Sequence, residues 1–192
     1  MIEVGIMAVI VLLLAVFSPG IAKLGLRGLA VIAMLVALAS AGRAIFAPIP
    51  SVQPASFIII FCGMSLGPGA GLVCGVLTAV LSSALTSFGP FTLWQALLWG
   101  VMGLLSVCLK RSPFWVRALY GFAWGFVFGW IMNLWWYSFG IIPLTWETFF
   151  LACTMSFYFD LMHALTNAVL LALLSHGSMK VLGRFMKQGP TI

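Results

Sequence analysis

Long apolar runs, separated by short stretches rich in Gly, Pro and charged residues, dominate this sequence. Because about 20 apolar residues cross the hydrocarbon layer as a helix, the runs predict a series of membrane-spanning helices. Val52–Leu66 is short for this task and is either a short span or a re-entrant hairpin. The seven predicted segments are Val4–Phe17, Leu29–Ala47, Val52–Leu66, Ala70–Phe88, Phe91–Leu109, Val116–Gly140 and Phe149–Ser175.

The composition supports this interpretation. Apolar residues make up 64% of the 192 residues and charged residues only 6%, whereas a soluble domain carries roughly 25% charged residues. The runs are continuous rather than alternating, so the predicted fold is an all-α integral membrane protein. The length leaves no room for a soluble catalytic or nucleotide-binding domain beside the helices.

The distribution of basic residues predicts the orientation, since Lys and Arg concentrate in cytoplasmic loops. With the first N-terminus outside, only Arg43 among the nine Lys and Arg residues falls toward the outer end, together with Glu3 and Glu147. The net charge of +6 is therefore read as a positive-inside signature and not as a nucleic-acid surface. We expect a multi-pass protein of the cell membrane with a cytoplasmic C-terminus. The basic residues predicted inside are Lys23, Arg27, Lys110, Arg111, Arg117, Lys180, Arg184 and Lys187.

One short pattern resembles an enzyme motif. Gly63–Gly67 matches G-x-S-x-G, with Ser65 as the nucleophile and His176 near the same predicted face. That motif normally needs a strand-to-helix elbow, whereas Ser65 lies at the end of an apolar helix. Close helix packing by small residues is the competing explanation, and an intramembrane serine hydrolase stays an alternative.

Three polar residues share one face of the last predicted helix. Asp160, His163 and Asn167 follow one another at i, i+3 and i+7. Ionisable residues at this depth are costly and by default suggest a functional site, although a hydrogen-bonded packing cluster would use the same spacing. No further group of ligands accompanies them, and the four cysteines lack a metal or disulfide spacing. No metal site is predicted.

Uncharged polar residues and aromatic rings gather at the predicted outer end. An interfacial aromatic belt explains part of this set, but a pocket lined by aromatics with a few polar groups is also how small-molecule sites are built. The inner ends have no comparable set, which favours a pocket that opens outward. The polar residues are Arg43, Ser51, Gln53, Ser56, Ser82, Ser83, Thr86, Ser87, Thr92, Gln95 and Asn133, and the tryptophans around them include Trp94, Trp130 and Trp135.

Two stripes of small residues recur every four positions. Ala33, Ala37 and Ala41 form one stripe, and 121, 125 and 129 form a glycine stripe. Such stripes allow helix backbones to approach closely. Either stripe fits internal packing, and the alanine face could instead bind a partner subunit.

Several of these features occur together in one known family. The most specific is the run Gly89-Pro90-Phe91-Thr92-Leu93-Trp94-Gln95; weaker matches include Gly42-Arg43, Gln53-Pro54, Ser82-Ser83, Trp99-Gly100, Gly129 to Asn133 and Phe159 to Ala164. From about Leu29 to Ser175 the chain resembles the substrate-binding S components of energy-coupling factor (ECF) vitamin transporters, most closely the cobalamin-type branch.

The resemblance implies a six-helix core with both ends cytoplasmic, an outward vitamin pocket, and an alanine-rich first core helix that faces the T subunit. The predicted organisation is an extra N-terminal helix with a basic loop (1–27), a substrate-binding core (28–176) and a basic cytoplasmic tail (177–192). Asn is common in the family where this chain has Ser83, so the substrate does not transfer directly, and a shared fold does not fix it either.

We therefore expect an S component that captures a micronutrient from outside and delivers it inward. A corrinoid is the favoured substrate, and queuine-like bases or other vitamins remain open. The chain itself is expected to be no enzyme and to hold no cofactor, because ATP is used by two partner ATPases bound through the T subunit. A structural membrane subunit without a ligand is a third alternative. The expected pocket residues are Arg43, Gln53, Trp94, Gln95, Asn133, Asp160 and His163.

Overall fold

Seven α-helices and one short 3-10 helix make up the computed structural model, which describes residues 2–137 and 143–187. No strand occurs within these described ranges, so the all-α prediction is confirmed. The end of the predicted sixth segment, at 138–140, lies outside the described residues. The helices are α1 (Ile2–Ala22), α2 (Gly25–Phe46), α3 (Ala55–Leu66), α4 (Pro68–Leu85), α5 (Phe91–Leu105), the 3-10 helix Ser106–Leu109, α6 (Phe114–Tyr137) and α7 (Trp146–Lys187).

The length of each helix decides whether it can cross a bilayer. In the described part of the chain, six helices are long and apolar enough to do so. The exception is α3, whose 12 residues extend only about 18 Å at 1.5 Å per residue. That is well short of the roughly 30 Å hydrocarbon core. The link 47–54 precedes α3, and Ser51 adopts a positive φ of 58° there.

The largest differences from the sequence prediction lie at two helix ends. The apolar run ending at Phe17 was expected to stop at Ser18, Pro19 and Gly20, but α1 continues through Pro19 to Ala22. A proline inside an apolar helix is tolerated where neighbouring groups satisfy the freed carbonyl, and here the Ser18 hydroxyl donates to the Ala15 carbonyl at 2.8 Å. The prediction of a break was therefore wrong.

The last helix is longer than its apolar run. The segment predicted to end at Ser175 continues without interruption to Lys187, because polar residues can extend a helix beyond the apolar layer that hydropathy detects. At 42 residues, α7 extends about 63 Å. The assignment of 177–192 as a cytoplasmic tail stays a prediction, and 188–192 lie outside the described residues.

The centre of the bundle is formed by α3, α4 and α5. Buried apolar side chains on these helices include Ile59, Met64 and Leu72. The backbones of α4 and α5 approach so closely that an added methyl at Gly71 would overlap the backbone of Gly103. This contact fixes the position of α5, which carries Gln95 and Trp99.

The glycine stripe packs internally, against α7. A methyl at Gly121 would overlap Leu171, one at Gly125 would overlap Ala164, and one at Gly129 would overlap Asp160. Small residues of this kind let the helix backbones approach closely. The α6–α7 pair is therefore a close-packed unit, and its contact runs directly up to the Asp160 carboxylate.

Several basic residues predicted inside lie together at one end of the bundle. The buried Arg117 side chain donates to the carbonyls of Leu109, at 3.2 Å, and Lys110, at 3.1 Å, and to the Ser175 hydroxyl at 3.3 Å. The Arg27 guanidinium donates to the carbonyl of Phe185 at 3.3 Å. This grouping agrees with the charge asymmetry of the sequence, whereas the side of the membrane stays a prediction.

Candidate substrate pocket

A small cavity lies between α2, the link 47–54, α5, α6 and α7. Its volume is about 110 Å³. Polar and aromatic side chains share the wall, in contrast to the apolar surfaces elsewhere in the bundle. The lining residues are Arg43, Ser51, Gln53, Gln95, Trp99, Phe128, Gly129, Phe159, Asp160 and His163.

Arg43 enters the cavity from the end of α2. Its Nη1 donates to the Ser82 hydroxyl at 2.7 Å and to the Ser83 hydroxyl at 3.4 Å. The guanidinium carbon lies 5.2 Å from the centre of the Trp99 ring, a distance at which a cation is attracted to the ring face. Three neutral groups therefore hold this cation, and no carboxylate of the described residues does.

Gln95 belongs to the same network. Ser83 donates to Gln95 Oε1 at 3.4 Å, so one serine connects the arginine to the amide. Trp99 lies four residues further along α5 and thus on the same helix face. One face of α5 therefore contributes both a polar and an aromatic part of the wall.

The link between α2 and α3 closes another side. Ser51 and Gln53 line the cavity from this link. An added methyl at Gly42 would overlap the ring of Pro54, so the link packs directly on the end of α2. The absence of a side chain at Gly42 brings the link close enough to complete the wall.

Asp160 is the acidic group of the cavity and is only 5% exposed. Its Oδ2 accepts a hydrogen bond from the Ser156 hydroxyl at 2.8 Å. Asn133 Nδ2 donates to the same hydroxyl at 3.0 Å. Gly129 of α6 lies against the carboxylate, and an added methyl there would overlap it.

His163 lies one helical turn beyond Asp160 and is 7% exposed. Its Nε2 is 2.8 Å from the Ser56 hydroxyl of α3. The Phe128 ring lies edge-on to the imidazole, with 5.3 Å between the two ring centres. These contacts fix the ring where α3, α6 and α7 meet at the cavity.

The polar residues on one face of α7 have two different roles. Asp160 and His163 line the cavity, whereas Asn167 is fully buried and donates to the Gly121 carbonyl at 3.2 Å. Asn167 therefore links α6 to α7 by the hydrogen-bonded packing that the sequence left open as an alternative.

Two residues expected in the pocket do not line it. Trp94 packs against the apolar core on another face of α5. Asn133 reaches Asp160 only through Ser156. The cavity brings together the other five: Arg43, Gln53, Gln95, Asp160 and His163.

Sequence reasoning missed most of the aromatic wall. Trp99, Phe128 and Phe159 line the cavity, but 14% of the chain is aromatic, and composition does not distinguish wall from membrane belt. The i+4 relation between Gln95 and Trp99 was the available signal.

The hydrolase pair suggested by the sequence is not assembled. The Ser65 hydroxyl is buried and has no hydrogen-bond partner among the described residues, and His176 is exposed on α7. The two side chains form no hydrogen bond. A nucleophilic serine needs a base within hydrogen-bond reach, so nothing in this geometry favours the enzyme alternative.

The comparison with protein families agrees with a helical membrane protein. A family described as ECF transporter, substrate-specific component matches residues 27–175, which is most of the chain. The chain belongs to this family and is a multi-pass membrane protein. No curated protein and no solved structure matches it. Members of the family are transporter subunits that bind a small molecule and work with an ECF module, and α1 precedes the matched region.

Proposed function

We propose that this chain is the S component of an ECF importer and binds a vitamin or related micronutrient in the Arg43–Asp160 cavity. The observation that carries the proposal is a cavity inside an apolar bundle with both a cation and a carboxylate in its wall. Such groups are expensive within a membrane and are retained for function. The family match supports the transporter role.

The partner proposal is a T subunit that docks on α2, together with two cytoplasmic ATPases. Ala33, Ala37 and Ala41 are exposed along one face of α2. The opposite face is buried, for example at Val31 and Ala39. A small-residue face without a partner in the described chain supports close contact with another membrane helix.

We propose an orientation in which the cavity opens to the outside and both ends of the six-helix core are cytoplasmic. Arg43 and Arg27 stand 16 positions apart on α2, or about 24 Å. Arg27 lies at the end of the bundle that holds the basic cluster, and Arg43 lies at the other end beside the cavity. The positive-inside rule then places the cavity toward the outer face.

The size of the cavity bears on the substrate. A volume of about 110 Å³ is below the roughly 150 Å³ of a cavity that holds one benzene molecule. A corrinoid, which was favoured from the sequence, is far larger and would require the link 47–54 and the surrounding helices to move apart. A smaller micronutrient, or the ring of one, requires a much smaller displacement of the same wall.

Mass spectrometry of small molecules released from the purified chain tests the proposal. We expect a micronutrient that is absent from an Arg43→Gln, Asp160→Asn double variant purified in parallel. Co-expression with a T subunit and two ATPases should then give ATP-dependent uptake of that compound. A wild-type protein that releases no compound and supports no uptake would leave the structural-subunit alternative in place.

A further inference from the structure

Arg43 and Asp160 line one cavity but do not pair with each other. Each has its own neutral partners, Ser82 and Ser83 for the arginine and Ser156 for the carboxylate. No ion pair joins the two groups. Opposite charges attract strongly where the dielectric constant is low, so their separation across an internal cavity needs a structural cause.

The protein keeps the two charges apart. Trp99 and the serines of α4 hold the guanidinium at one side. The absence of a side chain at Gly129 makes room for the carboxylate against α6, where an added methyl would overlap it. Among the described residues, none donates a hydrogen bond to the carboxylate oxygen Oδ1. This oxygen is therefore available to a donor group of a molecule in the cavity.

We infer that the ligand is amphoteric and bridges the two charges. Its anionic or strong acceptor group binds Arg43, and its N–H donor group, of the amine or amidine type, binds Asp160. This inference rests on the proposed function and names the chemistry that the same pocket selects. A ligand with both groups satisfies both buried charges, whereas a simple acid or a simple amine leaves one of them unpaired.

The remaining wall defines the shape of the ligand. Trp99, Phe128 and Phe159 offer ring surfaces, which favour a planar molecule in stacked or edge-on contact. Gln53 and Gln95 add amide groups that can both donate and accept. With a volume of about 110 Å³, the cavity is somewhat smaller than one that holds a single benzene molecule, so a one-ring ligand, or the ring of a larger one, enters with a small displacement of the wall.

Three one-ring probes separate the two charge contacts. 6-Aminonicotinate carries a carboxylate and an aminopyridine donor face, nicotinate lacks the amino group, and 2-aminopyridine lacks the carboxylate. Calorimetric binding to the purified full-length chain in detergent should show 6-aminonicotinate binding at least tenfold more tightly than either single-function probe. Equal affinities of the three probes, or no binding of any of them, would overturn the inference.

Variants assign each contact. In Arg43→Gln, 6-aminonicotinate should bind no more tightly than 2-aminopyridine. In Asp160→Asn, 6-aminonicotinate should bind no more tightly than nicotinate. Arg111→Gln and Glu147→Gln change the same charges at exposed positions and should leave all affinities unchanged. The bridging geometry would be contradicted if Arg43→Gln weakened the binding of probes that lack a carboxylate, or if Asp160→Asn weakened the binding of probes that lack an amino group.

The released natural ligand gives a separate measurement. If it carries both an acidic or acceptor group and an N–H donor, the inference stands. A released compound that lacks either group would overturn the inference while leaving the proposed transport function intact. Absence of any released compound and of uptake would instead count against the proposed function itself.

Discussion

Arg43 and Asp160 owe their positions to residues that carry no charge. Serines, a tryptophan ring and a glycine determine where the two charged groups stand, and both groups line the cavity. Hydrogen bonds to charged groups are worth about 1.5–3 kcal/mol each. These neutral contacts therefore stabilise the charged groups in the absence of an ion pair.

The separation of the two charges predicts additive effects on stability. In ligand-free protein, Arg43→Gln and Asp160→Asn should each change the free energy of unfolding independently, with a coupling below about 0.5 kcal/mol. Asp160→Asn should remain folded because the amide still accepts the Ser156 hydrogen bond. Unfolding in detergent, followed by tryptophan fluorescence, measures the four-variant cycle. A coupling above about 1 kcal/mol would show that the residues pair directly in solution.

Gly129→Ala should damage the pocket. Its methyl would overlap the Asp160 carboxylate, so the carboxylate must move or α6 must shift. We expect ligand affinity to fall by about tenfold, or 1.4 kcal/mol. The matched control is Gly183→Ala on α7, where an added methyl meets no atom within 4 Å. Unchanged affinity in Gly129→Ala would mean that Asp160 does not contact the ligand.

At the scale of the helix, α2 carries two faces that differ in burial. One face is buried in the bundle, while the alanine face is exposed. Ala37→Leu adds bulk only to the exposed face. We expect assembly with the T subunit and uptake to fall by tenfold or more, with ligand binding by the isolated chain unchanged.

Affinity purification of the T subunit through a tag on this chain measures that assembly. Ala123→Leu adds the same bulk at an exposed position of α6 and should assemble normally. If Ala37→Leu lowers ligand binding as strongly as it lowers assembly, the alanine face serves the internal packing of the chain and not a partner.

Arg117 connects the end of α5 to α6 and α7. It satisfies two carbonyls that follow α5 and the Ser175 hydroxyl. Arg117→Gln should lower the free energy of unfolding by about 2 kcal/mol, because buried acceptors lose their donors. Thermal unfolding in detergent measures the change, and Arg111→Gln is the control at an exposed neighbour. A change no larger than the control's would show that water replaces these contacts.

Hydropathy predicted the positions of the helices more accurately than their ends. The apolar runs located all seven because burial in lipid requires continuous apolar surface. The ends at Phe17 and Ser175 were wrong for one physical reason: a helix needs only backbone hydrogen bonds to continue, and neither Pro19 nor the polar residues after Ser175 prevent that.

The same contrast holds in the pocket. Charged and amide residues were predictable because they are rare within the apolar runs, as Asp160 illustrates. Adjacent residues on a helix point about 100° apart, so the side chains of Trp94 and Gln95 leave α5 in different directions, and only Gln95 lines the cavity. Which of them faces it depends on the rotation of α5, and that rotation follows from the backbone contact at Gly71 and Gly103.

At the scale of the whole molecule, the uneven charge distribution predicts labelling from one side. A cysteine at Leu144, in a Cys108→Ser background, should react with an impermeant maleimide added to intact cells. Cysteines at Ser178 and Lys180 should react only after the cells are lysed. Protection at Leu144 with labelling at Lys180 would reverse the proposed orientation and place the cavity on the cytoplasmic side.

The unbroken α7 also has a mechanical consequence. It carries Asp160 and His163 in the cavity wall, and 25 positions beyond Asp160 it carries Phe185, which contacts Arg27. That separation is about 37 Å along a single helix. A sideways displacement of its basic end can therefore be transmitted along the continuous helix to the wall of the cavity. No part of the backbone between the two has to unfold.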